Sequence, residues 1–247
     1  MHGNLDGIRG LKGIGTMGFS GIFFDLDNTL VDRNASLQAF AAEWMDAFED
    51  VLEDGHEARV LAVIQESDGG GYQPRERFFA RLEKDLLWKD APGEGEIQEF
   101  WQRVFPKCTQ PANGLYDVLE ALGDQALKIG IVTNGTERSQ YGKIDRLGLW
   151  SYAEIVVISE TVGVKKPDPA IFEAAQMGLN VPANDLCFVG DHPVNDVQGS
   201  ARMGMTPVWV AGHHVWPDDL EPPAWQIEYL SELIPLLKKI EGDSKHG

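Results

Sequence analysis

Five short runs of almost wholly apolar residues narrow the fold of this chain more than any other feature. They are residues 21–25 (GIFFD), 127–133 (LKIGIVT), 155–159 (IVVIS), 186–190 (LCFVG) and 207–210 (PVWV). A strand exposed on one face alternates apolar with polar residues, whereas a continuous apolar run fits a strand covered on both faces. Helical patterns separate the runs. Asn113-Gly114 precedes a helix over 115–122, Pro169 opens one reaching about Met177, and Asn195-Asp196 leads into one over 197–203. Strands alternating with helices predict an α/β fold with a parallel sheet and helices on both faces. A short last strand near Ile227 and a closing helix over 231–240 complete it.

One interval breaks the alternation. From Asp32 to about Phe105 there is no strand pattern, only helix-like segments at 37–52, 58–65, 75–87 and 96–105. Ser67-Asp68-Gly69-Gly70-Gly71 and Ala91-Pro92-Gly93 read as loops between them. The expected organisation is therefore an α/β core over 19–31 and 107–241, split by an all-helical unit over 32–106. Residues 1–18, glycine-rich and without periodicity, read as a flexible extension, and 242–247 as a flexible tail.

Charge restricts the partners. With 21 Lys+Arg against 39 Asp+Glu, the formal net charge is -18, which argues against a nucleic-acid or anionic-membrane surface. A chain this acidic that handles phosphate needs the sign reversed locally, and a divalent cation held by carboxylates does so. Cys108 and Cys187 lie far apart and lack metal-ligand spacing, so Cys187, inside an apolar run, reads as a buried inert thiol. No apolar stretch approaches membrane-span length and the N-terminus lacks a secretion-signal pattern, so the expected location is cytoplasmic.

Four polar clusters close the apolar runs or follow them, where ligands bind in open α/β sheets. Phe24-Asp25-Leu26-Asp27-Asn28-Thr29-Leu30 aims two carboxylates into one crevice. One carboxylate can attack phosphorus as a nucleophile while a second carries the protons; the plainer account is an acidic turn. Ile131-Val132-Thr133-Asn134-Gly135 offers a hydroxyl and turn amides to phosphoryl oxygens, or is only good turn chemistry. Gly163-Val164-Lys165-Lys166-Pro167-Asp168-Pro169 supplies a cation, and on the residues alone either lysine serves. Val189-Gly190-Asp191-His192-Pro193-Val194-Asn195-Asp196 adds hard oxygen ligands suited to Mg²⁺, with Asp196 also placed to cap a helix and His192 read as a turn residue.

In this order, each following a strand, the clusters resemble the motifs of the haloacid dehalogenase-like superfamily, over roughly residues 20–237. The resemblance implies a Rossmann-like core with a helical cap inserted after the first motif. It implies Asp25 as nucleophile, Asp27 as general acid/base, Thr133 with Asn134 in the phosphate site, and Lys166 rather than Lys165 as the cation. It implies Mg²⁺ on the Asp25 carboxylate, the Asp27 backbone carbonyl and Asp191, with Asp196 as the acidic partner that helps hold the metal and Lys166. Arg33 is the foremost cap-side candidate for a substrate contact, whereas the cap tryptophans read first as packing. His213-His214, with no acidic or cysteine partner at ligand spacing, reads as loop.

The expected activity is a Mg²⁺-dependent phosphatase acting on a small phosphorylated metabolite, as a monomer or homodimer. Three alternatives stand beside it. A haloacid dehalogenase needs no second acid, so Asp27 speaks against it. A phosphomutase prefers a sugar hydroxyl to water. A non-catalytic binder would have lost Asp25, Asp27 or Lys166. Sugar phosphates, nucleoside monophosphates and phosphoglycolate all fit the motifs as substrates.

Overall fold

The computed structural model describes residues 18–53, 57–93 and 95–244. In chain order, β1 (Gly21–Phe24) and β2 (Val31–Asp32) lead into four helices: α1 (Arg33–Phe48), α2 (Glu57–Asp68), α3 (Arg75–Asp85) and α4 (Glu96–Val104). There follow β3 (Gln110–Pro111), α5 (Leu115–Gly123), β4 (Lys128–Thr133), α6 (Glu137–Arg146), β5 (Ile155–Ile158) and the short α7 (Ser159–Val162). Then come α8 (Pro169–Leu179), β6 (Leu186–Gly190), the short α9 (Gly199–Arg202), β7 (Thr206–Val210), β8 (Gln226–Ile227) and α10 (Leu233–Ser244).

Among the described residues six parallel strands form one sheet in the order β5-β4-β1-β6-β7-β8. Side chains along a strand alternate between faces, and both faces here are apolar. Ile22, Phe24, Ile131 and Val189 join Leu119 of α5 and Leu237 of α10 in one buried cluster. Phe23, Val132 and Phe188 join Phe172 and Leu179 of α8 in another. The continuous apolar runs thus cover two faces, as the α/β reading requires.

The central position of β1 places the site. Phe24 pairs with Ile131 of β4 on one side and Val189 of β6 on the other, so the three strands end nearly level. The chain leaves β1, returns on one side as β4 and later on the other as β6. That reversal opens a crevice at the carboxyl end of β1.

Helices α1 to α4 have a core of their own, built largely from aromatic rings. Trp44 is fully buried, and Phe40, Phe48, Phe100 and Trp101 surround it or adjoin it. Phe40 meets Trp101 edge-on at 4.8 Å between ring centroids, and Trp101 stacks on Phe105 at 3.9 Å. The tryptophans 44 and 101 therefore pack. Two-residue strands close this unit at its base, with Val31 paired to Pro111 and Asp32 to Gln110.

Three expectations need correction. Helix α1 starts at Arg33 rather than at 37, because Asp32 caps it by accepting the Ala35 N–H at 2.8 Å. The closing helix continues through 242–244, which were expected in a flexible tail; Leu233, Leu237 and Ile240 anchor it, and extending an anchored helix is easier than starting one. Residues 1–17 and 245–247, the rest of the expected flexible ends, lie outside the described residues. Finally, α6 carries no helical reading in the sequence, since its buried face is Gln140, Lys143 and Ile144, two of them polar.

Trp44→Ala removes the center of the aromatic core, and the expected cost is about 3–5 kcal/mol of unfolding free energy. Urea denaturation of the two proteins checks it.

Candidate active site

Asp25 directly follows β1 and its backbone N–H donates to Val189 of β6 at 2.9 Å, which keeps it in sheet register. Its carboxylate is buried, and Oδ1 accepts from Lys166 Nζ at 2.6 Å. The same ammonium donates to the Val132 carbonyl at 2.8 Å and lies 2.7 Å from Asp196 Oδ1, the latter a charge contact outside hydrogen-bond alignment. The Lys166 backbone is clasped by Asn134, whose Oδ1 accepts the Lys166 N–H at 2.8 Å and whose Nδ2 donates to the Lys166 carbonyl at 3.1 Å. Asn134 was expected beside Thr133 in a phosphate site; its amide is committed to holding Lys166. Lys165 is exposed while Lys166 is buried.

Asp191 and Asp196 reach the same point from beyond the carboxyl end of β6, which lies nearly level with that of β1. Carboxylate oxygens of Asp25, Asp191 and Asp196 all lie within 4.8 Å of one another. Asp196 enters through a wide helical turn, Pro193–Gln198, whose first amides, those of Val194 and Asn195, donate to His192 Nδ1 at 3.1 Å. His192 is thus the cap of that turn. The bare Cα of Gly190 makes the approach feasible, since a Cβ there would fall 2.5 Å from the Asp196 carboxyl carbon. Asn28, in the left-handed region at φ 60°, donates Nδ2 to Asp191 Oδ2 at 3.1 Å. His214 Nε2 lies 3.3 Å from that same oxygen. His214 does lie in a loop, as read, but the reading that it lacks an acidic partner is corrected: the partner is close in space but distant in sequence.

This cluster sets three carboxylates against one ammonium, a formal excess of two negative charges when all three are ionised. Asp191 Oδ1 is buried with no hydrogen-bond partner. An unpaired buried carboxylate oxygen among hard oxygen donors is the chemistry of a divalent-cation site, so the residues present fit Mg²⁺. Burial, with the neighboring Asp196 charge, pushes the Asp25 carboxyl up to about 7 against the opposing pull of Lys166. Burial raises Asp191 and Asp196 as well.

Asp27, two residues on, has the opposite surroundings. Its carboxylate is not in the trio; it accepts from Lys143 Nζ at 2.8 and 2.6 Å, from Arg33 Nη1 at 2.7 Å and from Gln140 Nε2 at 3.2 Å. Burial pushes this carboxyl up, and Lys143 and Arg33 more than reverse that, holding it well below the usual carboxylate range. Of Asp27 only the backbone carbonyl is left for a metal. Arg33 does not present a free guanidinium to a substrate: it is buried, and its other nitrogens bind Asp68 at 2.7 and 2.6 Å. Thr133 Oγ1 accepts from Gln140 Nε2 at 2.6 Å.

Gln140 and Lys143 had no place in the sequence reading, and Asp68, read there as part of a loop, in fact ends α2. A signal existed for the first two: three residues apart after the Thr-Asn-Gly motif, they share one helix face behind the Thr136 cap. Asp68 ends α2, where the helix dipole disfavors a carboxylate, so an acid there points to a strong local partner.

A cavity of about 860 Å³ opens from these groups toward the helical unit. Asp25, Thr133 and Lys166 line it on the sheet side, and Arg75, Trp101 and Gln102 on the helical side. The Arg75 guanidinium lies over the Trp101 ring at 5.0 Å from its centroid.

Comparison with known proteins agrees with this fold. Residues 22–210 match the model of the haloacid dehalogenase-like hydrolase family, and the chain belongs to that family. The pyrimidine 5'-nucleotidase YjjG of Escherichia coli (strain K12) is 29% identical over 223 residues, 88% of this chain and 97% of the relative. A glyceraldehyde 3-phosphate phosphatase of Pyrococcus abyssi is 29% identical over 234 residues, 91% of this chain and 96% of the relative. Among solved structures, the HAD-hydrolase YfnB from Bacillus subtilis, bound to magnesium, matches with a TM-score of 0.66 at 22% identity, over 89% of this chain and 98% of that one, a likeness of fold.

The raised Asp25 carboxyl sets the sign of a pH effect. A native carboxyl at about 7 against 3.8 unfolded binds the extra proton in the folded state between those values, so its contribution to stability is lost as pH rises through about 7. In metal-free buffer, Asp25→Asn is expected to be more stable than the parent above pH ~7, by on the order of 1 kcal/mol or more, with the gap closing toward pH ~4. Thermal melts of both proteins in EDTA across that range test it.

Proposed function

We propose that this hydrolase of phosphate monoesters is Mg²⁺-dependent and works through an aspartyl-phosphate on Asp25, with helices α1 to α4 acting as a cap over the cavity. The observation that carries the reading is the buried trio of carboxylates on Lys166 at the end of β1, two formal negative charges in excess beside an open cavity. Asp25, Asp191 and the Asp27 backbone carbonyl would hold the cation, with Asp196 behind them. When bound, Mg²⁺ supplies the positive charge that lets a phosphate dianion approach a carboxylate.

The protein's own groups account for the rest. Lys166 holds Asp25 by one oxygen and leaves the other to attack phosphorus, and it spreads positive charge toward the transferring group. The Thr133 hydroxyl, at the end of β4 and lining the cavity, would donate to a phosphoryl oxygen, and Asn134 acts by fixing Lys166. Asp27 serves as the proton carrier, giving a proton to the leaving oxygen and later taking one from water. Lys143 and Arg33 favor its ionised form, the state that accepts a proton from water. Loading it for the first half-reaction requires a proton and a weaker hold from Lys143 and Arg33. A cap closed over the cavity would shield the acyl-phosphate from all nucleophiles but the admitted water.

The substrate class is a small phosphorylated metabolite. The relatives named for pyrimidine 5'-nucleotides and glyceraldehyde 3-phosphate both act on such esters. The acidic chain leaves nucleic acid out, and among the described residues no helix is long and apolar enough to cross a membrane.

Phosphate release from a panel of small esters, with and without Mg²⁺, tests the reading. Release is expected only with the metal and not at all from Asp25→Asn; near-normal turnover by that variant, correctly folded, overturns the nucleophile assignment. Lys166→Ala is expected to lose about 10²-fold or more in kcat. Lys165→Ala, removing an exposed ammonium, is expected to change it little, and the reverse order would show the wrong lysine was chosen.

A further inference from the structure

Asp68 has no part in the chemistry described so far, yet it is among the most completely buried charged residues of the chain. It stands at the end of α2, outside the α/β unit, and its two oxygens grip Arg33 through Nε at 2.7 Å and Nη2 at 2.6 Å. A paired guanidinium–carboxylate contact of this kind fixes orientation as well as distance. The third nitrogen, Nη1, is thereby aimed at Asp27 Oδ1, 2.7 Å away. Arg33 has little room to do otherwise. Its guanidinium carbon lies 5.2 Å from the Phe105 ring centroid, and a Cβ on Gly71 would come within 2.9 Å of it. Arg75 Nη1 holds the Asp68 carboxylate from a further side at 3.0 Å.

Asp27 is consequently gripped from two directions. Gln140 and Lys143 of α6 reach it from the α/β unit, and Arg33 from the helical unit. We infer that Asp68 is a positioning residue: acting through Arg33, it sets where the Asp27 carboxylate points, so the helical unit helps to aim the proton carrier of the reaction. The inference rests on the phosphatase reading above, with Asp27 as that carrier. A plain fold staple between α1 and α2 would use the same ion pair but would leave the aim of Asp27 out of account. The two differ in what they predict for different leaving groups. An alkoxide leaving group needs a proton delivered as it departs, whereas a p-nitrophenolate leaves without one.

The experiment measures kcat/KM, which runs only as far as leaving-group departure, for an alkyl phosphate and for p-nitrophenyl phosphate with the parent, Asp68→Asn and Asp25→Asn. Asp68→Asn is expected to lose about 10-fold or more on the alkyl ester while staying within about 3-fold on the aryl ester, a part of the usual general-acid effect. Equal losses on both esters, or none on either, overturn the inference while the phosphatase reading stands. Inactivity of the parent on every ester, by contrast, overturns the reading and the inference with it. Asp68→Asn takes a counter-charge from two guanidiniums, leaving Arg33 with Asp27 alone and Arg75 without its carboxylate, and a buried charge poorly paired can prevent folding. The pair Arg33→Met with Asp68→Leu removes the ion pair in favor of apolar packing and is expected to show the same selective loss. A crystal structure of whichever variant folds gives a readout apart from activity: Asp27 displaced from its place beside Lys143 supports the inference, and Asp27 unmoved overturns it.

Discussion

Everything at the carboxyl end of β1 depends on keeping three carboxylates together around one ammonium in a place with almost no water. Like charges so close are tolerated only when a counter-charge and hydrogen bonds surround them. The local structure supplies both. Lys166 is locked by the Asn134 clasp, Asn28 adopts a left-handed backbone to reach Asp191, and the bare Gly190 lets Asp196 come against the strand. Parallel pairing on both sides of β1 is what brings these loops to one point. The formal balance is incomplete by two charges, and that shortfall is the feature through which the protein would take up a cation.

Asp25 and Asp27 show how far two like residues can be driven apart by their surroundings. They are neighbors on one loop, yet burial raises one carboxyl and a cluster of cations depresses the other. Contrasting environments of this kind are how a single site assigns different tasks to identical side chains. Here the division falls between a proposed nucleophile, set among acids, and a proposed proton carrier, set among bases.

The legible part of the site was the part written into strand ends. Thr133 ends a strand, and Asp25, Lys166, Asp191 and Asp196 each follow one or the loop after it, so once the sheet order is known their convergence needs no more than backbone register. Asp68, Gln140, Lys143 and His214 escaped because each meets its partner from a separate element, and such local signals as they carry do not name a partner so far away in sequence. Helix α6 escaped for a related reason: it buries Gln140 and Lys143 against Asp27, so the apolar periodicity that announces a helix is missing where function replaces packing. The correction to α1 was nearer to hand, since Asp32 is a good capping residue.

The two-residue ladder of β2 and β3 brings the ends of the helical unit side by side, and this bears on how the chain emerges from the ribosome. β1 is made first but cannot pair until β4 and then β6 have been synthesised, so its apolar residues must wait for distant partners. The helical unit, with its own aromatic core, is complete before β4 and well before β6. A helical unit that folds ahead of the sheet presents its two ends already drawn together. The unfinished strand would then be held beside an ordered body instead of at the tip of a long free coil, which shortens the effective loop that β1 and β4 must close.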